Sequence, residues 1–314
     1  MMNIKHILCP VDLRHDSDKA LRYAAALARA CKAKLFVCYC TEEPAGAGVP
    51  NRPDPNEEIK KVFRRTLSYY SAETIDLDWE SIILEDNSPA EAITREAGTR
   101  GIDLVVMCSR RRPLRAALLG STTESVYRTA PCPVLVVHPD QREWAADEPD
   151  TVAPKRVLVA HDFSDYSELA LRLGLSLAQE SGAELHLLHA LNAPALTEPE
   201  LAWNPSGTEG AYHKAARGLQ KAIPGGAYLW CEVRHAVRWG KPYREILSYA
   251  KEHEIDLICM GSQGTGFGMQ ALFGSNVDRV IRQSPCPAIV ARPLRPILLH
   301  PSMLTHREPL RRMA

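Results

Sequence analysis

The sequence has no excess of charge of either sign, because 38 lysine and arginine residues balance 38 aspartate and glutamate residues in a chain of 314. This balance argues against nucleic acid or an anionic membrane as the principal partner. The chain has no apolar run of membrane-spanning length, and its first residues, MMNIKHILCPVDL, lack the layout of a secretory signal. We therefore expect a soluble, cytoplasmic protein.

A disulfide framework and a metal-binding motif are also missing. The nine cysteines are odd in number and scattered, and several of them fall within apparent strands. Cys38 and Cys40 share one face of a strand, but no further Cys or His stands at metal-ligand spacing from them. The cysteines are therefore expected to be reduced, buried thiols.

What the sequence does contain is an internal repeat. Residues 5–44 align without a gap on residues 155–194, and Pro131-Cys132-Pro133 recurs as Pro285-Cys286-Pro287. Two copies of one domain explain this pattern. We expect the first domain over residues 1–139, a linker over 140–154, the second domain over 155–292 and a tail over 293–314.

Each copy has five apolar runs that alternate with helical patterns. The predicted strands lie near residues 6–11, 34–40, 79–84, 103–108 and 133–138, and near residues 156–161, 184–190, 228–234, 255–260 and 287–291. The first helix of each copy should run from Ser17 to Lys32 and from Ser167 to Gly182, with the serine as N-cap and Gly182 as the stop. Alternating strands and helices predict an α/β fold. We expect two tandem Rossmann-like domains, each a five-stranded parallel sheet flanked by helices.

A glycine-rich turn follows the fourth strand of the second copy. Gly261, Gly264 and Gly274 have the spacing G-x2-G-x9-G, Ser275 comes next, and a helix is predicted from Asn276 to Gln283. Amides at a helix N-terminus favour an anion, and glycine lets a ligand approach the backbone closely. The turn is therefore interpreted as a phosphate cradle, and the alternative is that the glycines serve the shape of the turn alone.

The first copy departs from this pattern. Its turn, CSRRRPLRAALLGS, is one residue shorter, with Cys108 and Arg111 near the leading glycine positions and Gly120-Ser121 kept at the helix start. Its arginines could bind another anion or a nucleic acid backbone. The alternative is that they form a basic turn exposed to solvent. We expect an intact site in the second copy and a degenerate one in the first.

The glycine-rich turn contains no lysine and is therefore not a P-loop of the GxxxxGK[ST] type. No nucleophile with its base, and no carboxylate pair, converges on it. Asp278 either approaches the phosphates or serves as an acid in the first helical turn. The sequence thus predicts at most weak, slow hydrolysis rather than an efficient enzyme.

The aspartate after the first strand, the stretch IDLICMGSQGTGFGMQALFGSN and the closing SPCPAIVA resemble the universal stress protein family, here as a tandem pair. The resemblance implies an adenine nucleotide alpha hydrolase-like fold and bound ATP, with Mg²⁺, at the carboxyl ends of the strands. It also implies a nucleotide-dependent regulatory role in the stress response. The residues it assigns to the nucleotide are Ala160, His161, Asp162, Ala190, Met260, Gly261, Gly264, Gly274, Ser275 and Asn276.

Residue chemistry leaves some of these assignments open. The Asp162 carboxylate suits a ribose hydroxyl or Mg²⁺, but it also suits an Asx turn or an N-cap. His161 either contacts the ligand or has a structural role. Adenine should be recognised mainly by backbone groups near Ala190 and by apolar side chains.

The fifth strands predict how the copies associate. In the family this strand pairs across a two-fold axis, so residues 134–138 and 288–291 should pair with each other within one chain. Further homodimerisation is left open. The alternatives to a nucleotide-dependent regulator are a scaffold for protein interactions that binds no nucleotide, and a slow ATPase.

Overall fold

A computed structural model describes residues 4–13, 17–41, 54–67, 77–109, 121–139, 141, 154–192, 205–263 and 275–292. Gly264 and Gly274 lie outside the described residues, as do Arg111 and Gly120 of the first copy. Most of the predicted linker and the whole of the predicted tail lie outside them too.

The two halves of the chain contain the same succession of elements. The first half comprises β1 (His6–Pro10), α1 (Asp18–Cys31), β2 (Lys34–Thr41), α2 (Pro55–Leu67), β3 (Trp79–Glu85), α3 (Pro89–Thr99), β4 (Leu104–Cys108), α4 (Ser121–Thr129) and β5 (Val134–Val137). The second half comprises β6 (Arg156–Ala160), α5 (Asp165–Ser181), β7 (Glu184–Leu191), α6 (Pro205–Ala222), β8 (Val233–Trp239), α7 (Pro242–Glu252), β9 (Leu257–Gly261), α8 (Ser275–Gln283) and β10 (Ala288–Ala291).

All ten strands belong to one sheet, in the order β3-β2-β1-β4-β5-β10-β9-β6-β7-β8. Neighbouring strands within each half are parallel, whereas β5 and β10 are antiparallel, with Leu135 opposite Ile289. The prediction of an α/β fold with two Rossmann-like domains is confirmed, and the two five-stranded sheets are continuous.

Helices cover both faces of the sheet because successive side chains of a strand point to opposite sides. Ile7 and Cys9 of β1 pack into the core beneath α1, α2, α5 and α6. Leu8 packs into the core beneath α3, α4, α7 and α8. Each core runs through both halves, which explains why strands at the centre of the sheet are apolar throughout.

The third strand of the second half is not where the sequence predicted it. Residues 228–234 were expected to form this strand, but Gly225–Leu229 is a 3-10 helix, Leu229 is 89% exposed, and β8 begins at Val233. The apolar run is therefore a surface turn that follows Pro224. Leu185 of β7 pairs with Val233, and this pairing sets the register of β8 against β7.

The first helix of the second half also starts earlier than predicted. It begins at Asp165, and the Ser164 side chain accepts a hydrogen bond from the Ser167 amide, so the cap is Ser164 and not Ser167. Ser17 does precede α1, but its hydroxyl donates to Asp12 Oδ1 at 2.8 Å and does not cap the helix. Gly182 ends α5 with φ of 64°, as predicted.

Polar side chains connect the halves beside the β5–β10 pair. Asp278 accepts hydrogen bonds from the Tyr127 hydroxyl at 2.8 Å and from the Arg128 guanidinium at 2.6 Å. Arg282 and Glu124, which the repeat aligns with Arg128 and Asp278, form the equivalent ion pair, with Nη2 of Arg282 2.9 Å from Oε2 of Glu124. Asp278 is thus an acid of the interface between the halves, a role that the sequence did not indicate.

None of the helices in the described ranges combines the length and apolarity that a membrane span requires.

Candidate functional site

The carboxyl ends of β6, β7 and β9 open into a cleft of about 550 Å³. This volume is within the range of small-molecule sites, and the position is the one that ligands favour in parallel α/β sheets. One wall of the cleft is formed by the first two turns of α7 and α8. The lining residues of the second half are Ala160, His161, Asp162, Leu188, His189, Ala190, Leu191, Asn192, Lys241, Pro242, Tyr243, Ile246, Met260, Gly261, Gln263, Asn276, Val277 and Arg279.

Most of the predicted site residues that the structure describes meet in this cleft. The residues brought together are Ala160, His161, Asp162, Ala190, Met260, Gly261 and Asn276. Ser275 begins α8 and is exposed, but it does not line the cleft. Gly264 and Gly274 lie outside the described residues, so their part in a phosphate cradle stays a prediction.

Gly261 has a packing reason to be glycine. A Cβ at this position would lie 2.6 Å from the carbonyl carbon of Tyr166 and 2.8 Å from the amide nitrogen of Ser167. Those backbone atoms belong to the first turn of α5, which a side chain would push away from β9. For Gly261, therefore, the described contacts support the interpretation in which glycine serves the shape of the fold.

Asp162 forms an Asx turn at the start of the β6–α5 loop. Its Oδ1 accepts from the amide of Ser164 at 3.1 Å and from the Ser164 hydroxyl at 2.6 Å. The turn includes Phe163, which has φ of 65°. The structural role considered for Asp162 is thus present, and it holds the half-buried carboxylate at the rim of the cleft.

His161 is 5% exposed and joins the ends of two strands. Its amide donates to the Leu188 carbonyl at 2.8 Å, and the ring Nδ1 accepts from the Phe163 amide at 3.2 Å. The ring proton is therefore on Nε2, which has no hydrogen-bond partner among the described residues. Burial lowers the pKa of His161, since it disfavours the imidazolium.

His189 completes the packing of this rim. Its Nδ1 donates to the His161 carbonyl at 2.7 Å, and the Phe163 ring lies 4.7 Å from its ring. Gly218 of α6 approaches the same phenyl ring, since a Cβ there would be 2.8 Å from it. The rim of the cleft is therefore fixed by contacts among the β6–α5 loop, β7 and α6.

Sequence reasoning identified Asn276 but missed the other residues of the wall formed by α7 and α8. Ile246 and Val277 supply buried apolar surface there, to which Leu188 of β7 adds within the cleft, and Lys241, Tyr243 and Arg279 supply polar groups. The error in β8 explains why the α7 residues were omitted. With the strand predicted to end at residue 234, the residues after its true carboxyl end were not expected at this edge of the sheet.

A comparison with protein families finds the model of the Universal stress protein family matching twice, over residues 3–138 and 154–292. Universal stress protein Rv2005c of Mycobacterium tuberculosis is 34% identical over 193 residues, which cover 60% of this chain and 61% of that protein. A universal stress protein of Mycolicibacterium smegmatis is 27% identical over 298 residues, or 91% of this chain and 97% of that protein. The chain thus aligns with less than two thirds of the M. tuberculosis relative.

Solved structures show the same fold over nearly the whole chain. A functionally unknown protein from Pseudomonas aeruginosa PAO1 aligns with 93% of this chain and 93% of its own length, with a TM-score of 0.66 at 17% identity. A universal stress protein from Archaeoglobus fulgidus aligns with 93% of this chain and 99% of its own length, with a TM-score of 0.57 at 22% identity.

Proposed function

Because the chain belongs to the universal stress protein family, we propose that it is a regulatory protein of the stress response that binds one molecule of ATP in the cleft of its second half. The observation that carries this proposal is the cleft itself. It lies at the carboxyl ends of parallel strands and has an apolar interior with a polar rim. ATP combines a flat base with a charged chain, and it matches both parts of such a cleft.

The adenosine moiety fits the inner part of the cleft. Small side chains at Ala160 and Ala190 leave space at the strand ends, and buried Ile246 and Val277 offer apolar surface to the base. Asp162 is held by its Asx turn where a ribose hydroxyl could donate to it. Burial of an adenine between such groups would be favoured by the area removed from water.

The phosphate chain would extend toward α8 and the predicted glycine-rich turn. The N-terminus of α8 presents backbone amides and the positive end of the helix dipole near Asn276. Mg²⁺, when bound with the nucleotide, would neutralise phosphate charge, with Asp162 as the carboxylate that lines the cleft. No group of three His, Cys, Asp or Glu side chains in the described ranges is arranged to hold a metal ion by itself.

The first half would serve as the structural partner of the second. Pro10, Cys40 and Cys108 occupy the positions that the repeat aligns with Ala160, Ala190 and Gly261. Bulkier side chains at these positions leave less room for a nucleotide. Domains over residues 1–139 and 155–292 would associate through β5 and β10, in the way that two single-domain chains form a dimer.

The test is isothermal titration of the full chain, stripped of nucleotide, with ATP and Mg²⁺. We expect one ATP per chain. Ala190→Phe places a phenyl ring in the cleft and should weaken binding at least tenfold, and the matched variant Cys40→Phe at the aligned position of the first half should leave it unchanged. Circular dichroism would verify that both variants fold. If the wild-type chain binds no ATP, the proposal is wrong and a nucleotide-free scaffold is favoured. If Ala190→Phe binds ATP as tightly as the wild-type chain, the cleft of the second half is not the ATP site and the proposal is wrong in that respect.

A further inference from the structure

Two basic side chains lie at the mouth of the cleft and come from different elements. Lys241 is the N-cap residue of α7, and Arg279 lies in the second turn of α8. Both are exposed, and neither has a carboxylate partner within the described ranges. The neighbouring Arg238, in contrast, binds Glu252 through two nitrogens. The charges of Lys241 and Arg279 are thus available to a ligand.

Tyr243 holds one of these cations in place. The guanidinium carbon of Arg279 is 4.6 Å from the centroid of the Tyr243 ring, a cation–π contact that leaves the N–H edge of the guanidinium open to acceptors. Arg244 donates from Nε to the Tyr243 hydroxyl oxygen at 3.1 Å. This hydrogen bond, with the charges of Arg244, Arg279 and Lys241, lowers the pKa of Tyr243. Positive charge is therefore concentrated on this wall of the cleft.

The interior behind these cations is apolar. Leu188, Ile246 and Val277 are buried, and Asp162 is the one carboxylate among the described residues that line the cleft. A ligand that fills the cleft would place an uncharged group inside and an anionic group at the mouth. The number of its negative charges should then decide how strongly it binds.

We infer that Lys241 and Arg279 bind the phosphate chain of the nucleotide, so that the cleft selects adenosine di- and triphosphate over the monophosphate and adenosine, and binds them without a divalent cation. This inference rests on the proposed function. Lys241 and Arg279 would supply the positive charge that the glycine-rich turn, which has no lysine, does not contain. Arginine and lysine both bind phosphate oxygens through charge-assisted hydrogen bonds.

The experiment is a titration of the full, nucleotide-stripped chain with adenosine, AMP, ADP and ATP, each in Mg²⁺ and in EDTA. The variants are Lys241→Gln and Arg279→Gln. Arg244→Gln is the matched control, because it removes one positive charge beside Tyr243 from a residue that does not line the cleft. Each test variant should weaken ATP binding about tenfold, and the control should weaken it less than about threefold. Adenosine binding should change by less than about twofold in all of them.

The outcomes separate this inference from the function on which it rests. If the wild-type chain binds none of the four ligands, the proposed function is refuted and the inference with it. If the wild-type chain binds ATP and both variants bind it as tightly as the wild-type chain does, only the inference is refuted. Loss of ATP binding in EDTA, with adenosine binding kept, would likewise refute it, because the metal ion and not these side chains would then supply the charge.

Discussion

Replacement of Gly261 by alanine should destabilise the protein through packing, whether or not a ligand is present. The added Cβ would lie 2.6 Å from a backbone carbon of Tyr166, well inside the contact distance of two carbon atoms. Backbone cannot rotate away as a flexible side chain can, so α5 or β9 must shift. Overpacking of this kind costs about 1–3 kcal/mol, and we expect the upper part of that range because the site is buried.

Urea unfolding followed by circular dichroism measures this cost, and a thermal scan should show a midpoint lower by roughly 4–8 °C. Gly210→Ala is the matched control, since a Cβ at that exposed position of α6 meets nothing within 4 Å. Alanine there should stabilise the helix by up to about 1 kcal/mol. A Gly261→Ala chain that unfolds at the wild-type urea concentration but loses ATP affinity would refute the packing argument. It would show that the ligand, rather than α5, requires a glycine.

Three further predictions concern other parts of the molecule. Asp278→Ala removes the acceptor shared by Tyr127 and Arg128 and should cost about 2–4 kcal/mol in urea unfolding, whereas a cost below about 0.5 kcal/mol would show that these bonds do not hold the halves together. Burial lowers the pKa of His186 from 6.5 to about 4, so the unfolded chain takes up a proton at a higher pH than the folded chain does. The free energy of unfolding should therefore fall by about 2 kcal/mol between pH 7.5 and pH 5, and His186→Gln should remove this pH dependence. Ser164→Ala removes a helix cap and should cost about 1 kcal/mol in thermal unfolding, and an unchanged midpoint would contradict this.

Strong periodic patterns in the sequence were enough to predict the architecture. The repeat and the apolar runs located the strands of both halves, apart from β8, to within about two residues. The error at β8 has a physical origin: the segment from Tyr228 to Trp230 is apolar, yet these side chains are largely exposed on a 3-10 turn. Composition alone does not distinguish such a turn from a strand, because pairing with β7 decides which residues extend the sheet.

The site was predictable where it depends on one strand end and hidden where it depends on packing between helices. Residues at the carboxyl ends of β6, β7 and β9 were identified, since the carboxyl ends of parallel strands share one edge. Arg279 was not, because only the packing of α8 against α7 brings it over the Tyr243 ring. Likewise, the contact that makes Gly261 necessary involves the backbone of a helix almost a hundred residues earlier in the chain, and no local pattern contains that information.

The antiparallel junction of β5 and β10 has a geometric consequence for where the strand ends of the two halves lie. Strands of the two halves run in opposite directions, so the carboxyl ends of β1, β2 and β4 emerge at one pole of the sheet and those of β6, β7 and β9 at the other. The loops that follow β6, β7 and β9 therefore share their edge of the sheet with first-half loops that precede strands, such as residues 100–103 between α3 and β4. The cleft of the second half and the aligned positions of the first half, Pro10, Cys40 and Cys108, therefore lie at opposite edges of the sheet, with the β5–β10 junction between them.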